Sequence, residues 1–343
     1  MRGIRRILYY GTCVASMLTV AIMIAPPAFA KSKPYNIALS NSYIGNQWRV
    51  EMINCAKGYA KKHPDEVKLR VTSTGLSVQK QIASIDDMIS NHVDAIIIDP
   101  ANGSGLNPVI KKAVEAGIPV VTFDHAVTSK YAYQVGIDLK QFGKIQAEWL
   151  VKQLHGKGNI ISNRGVAGME ADNAINDGQM EVFKKYPGIH IVTTVYGKWD
   201  QNVSQSKLTQ ALVSHPNIDG IANQFGAFGA TKALINLGHA WVPMTGGGSN
   251  GFRTQMLKYK DKGLKGISAS DPPAVGAYAL KVAIQILNGD APKNKHINVN
   301  IPVVTTATLK EGVNVFPKLS ANLRPFNIPG ANLDLTVHDA MGK

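Results

Sequence analysis

The chain alternates short apolar, β-branched runs with longer stretches of helical period. Runs at 36–40, 67–73, 95–98 and 118–123 are too short for helices and read as strands. Segments 47–63, 78–90 and 107–116 repeat apolar residues at three- and four-residue spacing and read as helices. Ile96-Ile97-Ile98 has no polar alternation, which suits a parallel sheet covered by helices on both faces. The pattern then restarts, with helices expected over 139–154, 174–186, 203–213, 227–237, 252–259 and 274–287. Between them fall strands at 159–162, 191–196, 220–222, 242–245 and 264–268.

The halves echo one another in order. His92-Val93-Asp94-Ala95-Ile96-Ile97 resembles Asn217-Ile218-Asp219-Gly220-Ile221-Ala222, and Ile37-Ala38-Leu39-Ser40-Asn41 resembles Asn159-Ile160-Ile161-Ser162-Asn163. The fold class this predicts is α/β, with two similar doubly wound parallel-sheet lobes. The segment from Thr308 to Lys343 holds Pro317, Pro325 and Pro329 and little periodicity, and reads as a strand end followed by an extended surface tail.

Composition changes the picture at the amino terminus. Arg2, Arg5 and Arg6 precede a mostly apolar run and Ala28-Phe29-Ala30, the layout of a cleavable export signal over 1–30; an uncleaved membrane anchor is the competing reading. These arginines supply three of the +14 formal charges. The remaining lysines are scattered along predicted helix faces, without basic runs interleaved with aromatics, so nucleic acid is not expected as a partner. Cys13 falls within the signal, which leaves Cys55 unpaired and expected in the core.

In open parallel sheets ligands bind beyond the carboxyl ends of the strands. The residues following the predicted strands are therefore the candidates: Ser42, Asn46 and Trp48, then Asp99, Asp124 and His125, then Trp199, Asn223 and Ser270. Carboxylates, amides and hydroxyls of this kind pair with the hydroxyls of a polyhydroxylated ligand, and flat aromatic rings cover the apolar faces of sugar rings. Asp99 poses a question, because a core strand ends on a charge, and burying an unpaired carboxylate costs several kcal/mol, roughly the range for desolvated ions. We expect it to face a cleft, hydrated when empty and hydroxyl-bonded when occupied.

Two enzyme motifs overlap one glycine-rich turn. Gly246, Gly248 and Gly251 fit a dinucleotide fingerprint, with Asp271 downstream. Gly247-Gly248-Ser249-Asn250-Gly251 fits a nucleophile elbow, which would make the chain an exported α/β serine hydrolase using Ser249, Asp290 and His296. The same glycines equally serve a sharp turn or a close backbone approach. Neither a phosphate-binding loop nor a zinc-binding pattern occurs, so no cofactor, metal or catalytic residue is expected.

Taken together, segments 36–42 with Asn46 and Trp48, 96–100, 117–124, Gly165-Val166-Ala167-Gly168, Trp199-Asp200 and 220–223 resemble the type I periplasmic sugar-binding proteins, the ribose-binding group in particular. The likeness spans about residues 36–305. It implies a hinge of three crossings, near Ile137-Asp138, 270–272 and 302–305. The first lobe would comprise 31–137 with 272–302, and the second 138–271 with 303–343. It further implies a monosaccharide or short polyol between Trp48 and Trp199, with Asp124 binding two hydroxyls and Asn223 acting as an amide ligand. A monomeric, non-catalytic periplasmic protein delivering that ligand to ABC importer permease subunits follows from the resemblance; a sensory module would use the same cleft. Several positions depart from the family pattern. Asp99 stands for an asparagine, His125 and Asn173 for arginines, Gly248 for an acid, Ser270 for an amide and Arg49 for an aromatic residue. Ribose itself is therefore not the expected ligand.

Overall fold

The computed structural model describes residues 34–44 and 47–343; the expected export signal and Asn46 lie outside the described residues. In the first half, β1 (Tyr35–Asn41), α1 (Gln47–Lys62), β2 (Val67–Ser73), α2 (Val78–Ser90), β3 (Ala95–Asp99), α3 (Asn107–Glu115), β4 (Val120–Phe123) and β5 (Tyr133–Gly136) alternate. The second half repeats the scheme with α4 (Leu139–Gln153), β6 (Lys157–Arg164), α5 (Glu170–Phe183), β7 (Gly188–Tyr196), α6 (Gln201–Ser214) and β8 (Gly220–Asn223). It continues through α7 (Ala227–Leu237), β9 (Met244–Gly247), α8 (Asn250–Tyr259) and β10 (Gly266–Ala269). Then come α9 (Val275–Leu287), β11 (His296–Asn298), β12 (Val303–Thr305) and a final short α10 (Val337–Ala340).

The strands form two six-stranded sheets, ordered β11-β5-β4-β3-β1-β2 and β12-β10-β9-β8-β6-β7. Leaving out β11 and β12, the orders are the same permutation, which is the structural form of the echo in the sequence. The first sheet is parallel throughout, and in the second only β12 runs antiparallel, against β10. Both faces of each sheet are covered. Ile97 joins a core with residues of α1 and α9, while Ile96 and Ile98 join one with α2 and α3. Ile160 packs with α4 and α5, and Ile161 with α6, α7 and α8. Cys55 is buried in α1, where burial pushes its thiol pKa up.

Strands β5, β11 and β12 escape the sequence pattern because each is only three or four residues long and none is wholly buried. They matter because they bring the chain to the crossings. The chain passes between the sheets after β5, between β10 and α9, and between β11 and β12. The Ser270 amide donates to the Pro302 carbonyl at 2.9 Å, which binds two of these crossings together.

The tail departs from expectation. Its earlier part docks on the second lobe: Asn250 Nδ2 donates to the Phe316 carbonyl at 2.8 Å, and the Asn250 amide to the Leu323 carbonyl at 2.8 Å. Its later part belongs to the first lobe, not the second. Phe326, Ile328, Ala331, Leu333 and Ala340 are buried in the core formed by α1, α9 and the first sheet. Lys281 Nζ donates to the Ala331 carbonyl at 2.8 Å, and Lys62 pairs with Asp339 at 3.1 Å. The chain therefore makes a fourth crossing at Leu323 and Arg324. The reason is hydrophobic: α1 and α9 present more apolar surface than the first sheet covers, and the tail's few apolar residues complete it. Replacing a buried aromatic ring with a methyl group costs about 3–5 kcal/mol, so Phe326→Ala is expected to lose about that much stability in urea denaturation of the ligand-free protein. A loss below about 1 kcal/mol would mean that the tail is not part of the first lobe's core.

Candidate functional site

In each sheet the chain reverses the direction in which strands are added at the first strand. β1 lies between β2 and β3, and β6 between β7 and β8. Such switch points leave a crevice at the carboxyl ends of the strands. Residues at or next to the ends of those strands are in register: Asn41 beside Asp99 in the first sheet, Asn163 beside Asn223 in the second.

The first lobe fills its crevice with charge. Asp99 is fully buried and forms an ion pair with Arg49 from the first turn of α1. This corrects the expectation of a hydrated, cleft-facing carboxylate. The strand can end on a charge because the partner comes from within the chain. The same guanidinium donates to Asp124 Oδ2 at 3.0 Å and to Ser42 Oγ at 3.2 Å, and lies 3.5 Å from His125 Nδ1. Its carbon also sits over the Tyr43 ring at 5.0 Å and the Trp48 ring at 5.5 Å, in cation–π range. His125 is exposed, with Nδ1 3.0 Å from Asp124 Oδ2 and 3.7 Å from Asp99. Asp124 takes a left-handed backbone conformation, φ 65°, uncommon for a residue other than glycine and frequent at functional positions.

Asp99, Asp124 and His125 bring ligand atoms within 4.8 Å of one another, a spacing that a metal ion could use. Arg49 already contacts all three and supplies the positive charge that a cation would bring.

The second lobe fills the equivalent crevice with neutral groups. Asn163 Nδ2 donates to Asn223 Oδ1 at 2.9 Å, and Asn223 Nδ2 donates to the Thr245 carbonyl at 2.9 Å. Both ends of the Asn223 amide are thus engaged within the sheet. Gln224 holds Trp199: the indole N–H donates to Gln224 Oε1 at 3.0 Å. Gly165 allows this placement, since a Cβ there would fall 2.0 Å from the indole. Lys198 and Trp199 both have positive φ, 54° and 57°, so the turn that presents the ring is strained. Asn173 is exposed on the first turn of α5 and accepts from Arg164 at 3.1 Å.

Between the lobes, the Trp48 indole N–H donates to the Asp271 carbonyl at 2.9 Å. Ser270 is buried and accepts from Arg253 at 3.0 Å. Arg253 also donates to Ser268 Oγ at 2.9 Å and to the Asn314 carbonyl at 2.9 Å. It therefore ties the crossing to the tail, while burial presses its pKa down to about 9.

The hydrolase constellation does not assemble. Ser249 caps α8, accepting from the Phe252 amide at 3.3 Å, with an extended backbone at φ −146° rather than the strained turn of a nucleophile elbow. Its nominal partner His296 belongs to the other sheet. The glycines around it answer to packing: a Cβ on Gly247 would meet the Phe225 ring at 1.8 Å.

Sequence reasoning did not single out Glu51, and it noted Asp271 only as a residue after a strand and Arg49 only as a departure from the family pattern, without assigning either a role. A signal for Arg49 was present, because it precedes Met52 and Ile53 by three and four residues and so lies on the buried stripe of α1. Asp271 carried the strand-end signal, following the strand expected over 264–268, but its surroundings depend on which elements the crossing brings together.

Several of these groups hold protons more tightly in the fold. Burial, then repulsion from Asp124, pushes Asp271 up to about 8, and burial pushes Glu51 up to about 7. The Asp124 carboxylate raises His125 above its ordinary value. Burial works against ionised Asp124, yet His125 and Arg49 together hold it below the usual range. The folded state therefore binds more protons than the unfolded chain between about pH 4 and pH 8, and stability falls as pH rises through that window. The ligand-free melting temperature is expected to be higher at pH 5 than at pH 8. Asp271→Asn should raise it at pH 8 and leave it nearly unchanged at pH 5; an unaltered slope would show that Asp271 ionises normally. Separately, Arg49→Met strands two carboxylates and is expected to cost about 3–5 kcal/mol in chemical denaturation; a cost under about 1 kcal/mol would refute the pairing.

With this geometry in place, comparison with known proteins is informative. Residues 37–291 match the family model described as the periplasmic binding protein domain. The ribose import binding protein of Bacillus subtilis is 26% identical over 281 residues, covering 79% of this chain and 90% of the relative. The xylitol-binding protein of Mycolicibacterium smegmatis is 28% identical over 261 residues, covering 75% of this chain and 72% of the relative. Among solved structures, an ABC transporter periplasmic solute-binding protein from Actinobacillus succinogenes with bound D-allose superposes with a TM-score of 0.67 at 26% identity. That alignment covers 79% of this chain and 97% of the neighbour.

Proposed function

The chain belongs to the periplasmic binding protein family, and from that premise we propose that it captures a monosaccharide or short polyol between its lobes and delivers it to an ABC importer. The observation that carries this reading is the convergence of Arg49, Asp124 and His125 at the carboxyl ends of the first sheet's strands. Ionised Asp124 accepts from ligand hydroxyls, and His125 and Arg49 donate to ligand oxygens. Trp48 and Trp199 offer flat faces to the ring from α1 and from the turn before α6, and Asn46 and Asn173 add amide contacts. Ser42, Asp99, Asn223 and Ser270, whose polar atoms meet protein partners, keep this frame in place.

Relatives named for ribose and xylitol, and a structural neighbour holding D-allose, support the ligand class. The departures at Arg49, His125, Asn173, Gly248 and Ser270 set the donors and acceptors apart from the ribose pattern. The protein acts as a monomer in the periplasm after removal of residues 1–30, and performs no catalysis. Ligand contacts made by both lobes favour the closed arrangement, whose surface the permease reads; this is a population shift paid for by differential contact. Each hydrogen bond to a charged group contributes roughly 1.5–3 kcal/mol, so a few of them with two aromatic faces reach micromolar affinity, about −8 kcal/mol.

A melting-temperature screen of pentoses, hexoses and polyols is the test. A true ligand at a hundred times its Kd stabilises the protein by about 2.7 kcal/mol. Asp124→Ala is expected to abolish that rise. A variant that responds as strongly as the wild type would remove Asp124 from the site, and a wild type indifferent to every compound would overturn the ligand class.

A further inference from the structure

Small residues stand at the carboxyl end of the second sheet. Gly248 follows β9 and Ser270 follows β10, where the resemblance leads one to expect an acid and an amide. Space there is nonetheless taken. A Cβ on Gly248 would lie 2.2 Å from Ser270 Oγ and 3.2 Å from Cδ of Pro325, a tail residue. The tail thus runs against the turn whose side chains are missing.

The residue before that proline is Arg324. Its backbone N–H donates to the Glu51 carboxylate of α1 at 2.9 and 3.2 Å. Its side chain turns the other way, with Nη1 donating to the Gly248 carbonyl at 2.9 Å. One residue therefore touches both lobes at the fourth crossing. The carboxylates that bear on its charge come from three elements: Glu51 on α1, Asp271 in the crossing after β10, and Asp200 beside Trp199. Asp271 in turn feels Asp124, His125 and Arg49, and its carbonyl holds the Trp48 indole. By its bonds Arg324 lies between Glu51, two residues after Arg49 on α1, and the Gly248 carbonyl just beyond the carboxyl end of β9, next to the groups already assigned to the ligand. Its Nε–H is buried and has no hydrogen-bond partner among the described residues. A buried donor left unmet costs about 1–3 kcal/mol, so an acceptor placed against it recovers that cost.

We infer that Arg324 is a ligand-contacting, specificity-determining residue, supplied by the tail in place of the acid and amide that Gly248 and Ser270 lack. This rests on the reading that a sugar or polyol occupies the interlobe space. The ligand it selects is uncharged. Asp99 and Asp124 offset Arg49 and His125, and Asp200 bears on Arg324, so the site has no excess positive charge for an acid. What Arg324 offers is a directed donor, met by a hydroxyl or ring oxygen. The tail lies outside the 37–291 segment shared with the family, so this contact distinguishes the chain from relatives that match it only there.

The test is calorimetric titration of wild type, Arg324→Lys and Arg324→Met with D-ribose, xylitol, D-allose and myo-inositol, with the ligand-free melting temperature measured for each protein. Arg324→Met is expected to weaken the best wild-type ligand at least about tenfold, the loss of one charge-assisted hydrogen bond. It should also change the rank order of the four compounds, with Arg324→Lys intermediate and the ligand-free melting temperatures close to wild type. Unchanged affinities in Arg324→Met overturn the inference. Uniform weakening with the same rank order and a lowered ligand-free melting temperature also overturns it, since that is a structural effect. If Arg324→Met does not fold, rank order in Arg324→Lys decides by the same criterion. If the wild type binds none of the four, the titration is run with compounds that stabilise it in the melting-temperature screen; a wild type that responds to none of those either overturns the functional reading, and Arg324's role with it, whereas wild-type binding with unchanged variants overturns Arg324 alone.

Discussion

A guanidinium buried between two carboxylates organises the first lobe. Strand β3 runs through the interior and ends on Asp99 at the switch point, where water does not reach it. Arg49 makes that ending tolerable, and in doing so pins the first turn of α1 over the ends of β3 and β4. Other features follow from the docked helix. Trp48, one residue earlier, reaches the Asp271 carbonyl, and Glu51, two residues later, receives the tail. Asp124 remains ionised beside His125 although it is largely enclosed. The second lobe meets the same topological demand with the amides of Asn163 and Asn223. Matching backbones thus carry different chemistry at their switch points, charged in the first lobe and neutral in the second.

The tail alters the mechanics of a two-lobed clamp. Three crossings sit near the sheet edges, and the fourth passes through Leu323 and Arg324. The Leu323 carbonyl is bonded to Asn250 of the second lobe and the Arg324 amide to Glu51 of the first. Both attachments belong to one planar peptide unit with no soft torsion between them, so rotation of one lobe against the other must bend or break one of these two hydrogen bonds. A ligand oxygen bonded to Arg324 would strengthen the connection at the same point, and capture and closure would then be coupled through the tail as well as through the lobes.

Much of the frame was legible in the pattern of residues. The run Ile96-Ile97-Ile98, apolar on every side, announced a strand covered on both faces, and the helix expected over 227–237 spans Ala227–Leu237. Asp124 and His125 were named as candidates by position, because the residue after a parallel strand stands at the mouth of the crevice, and the structure sets them beside Arg49. Asp99 was placed at the right strand end but given the wrong surroundings, since its partner lies fifty positions earlier in the chain. The short strands β5, β11 and β12 were missed for want of enough residues to establish a period.

The amino-acid sequence by itself determined the alternation of strands and helices, the doubling of the lobes and the polar residues at strand ends, because each depends on periodicity and on neighbours close along the chain. Tertiary structure alone decided that Arg49 neutralises Asp99, that Asn223 is held within its own sheet, and that the tail returns to the first lobe and places Arg324 between the two. Those outcomes join residues far apart in the chain, and the energy of a charge or a buried donor depends on what the fold brings beside it.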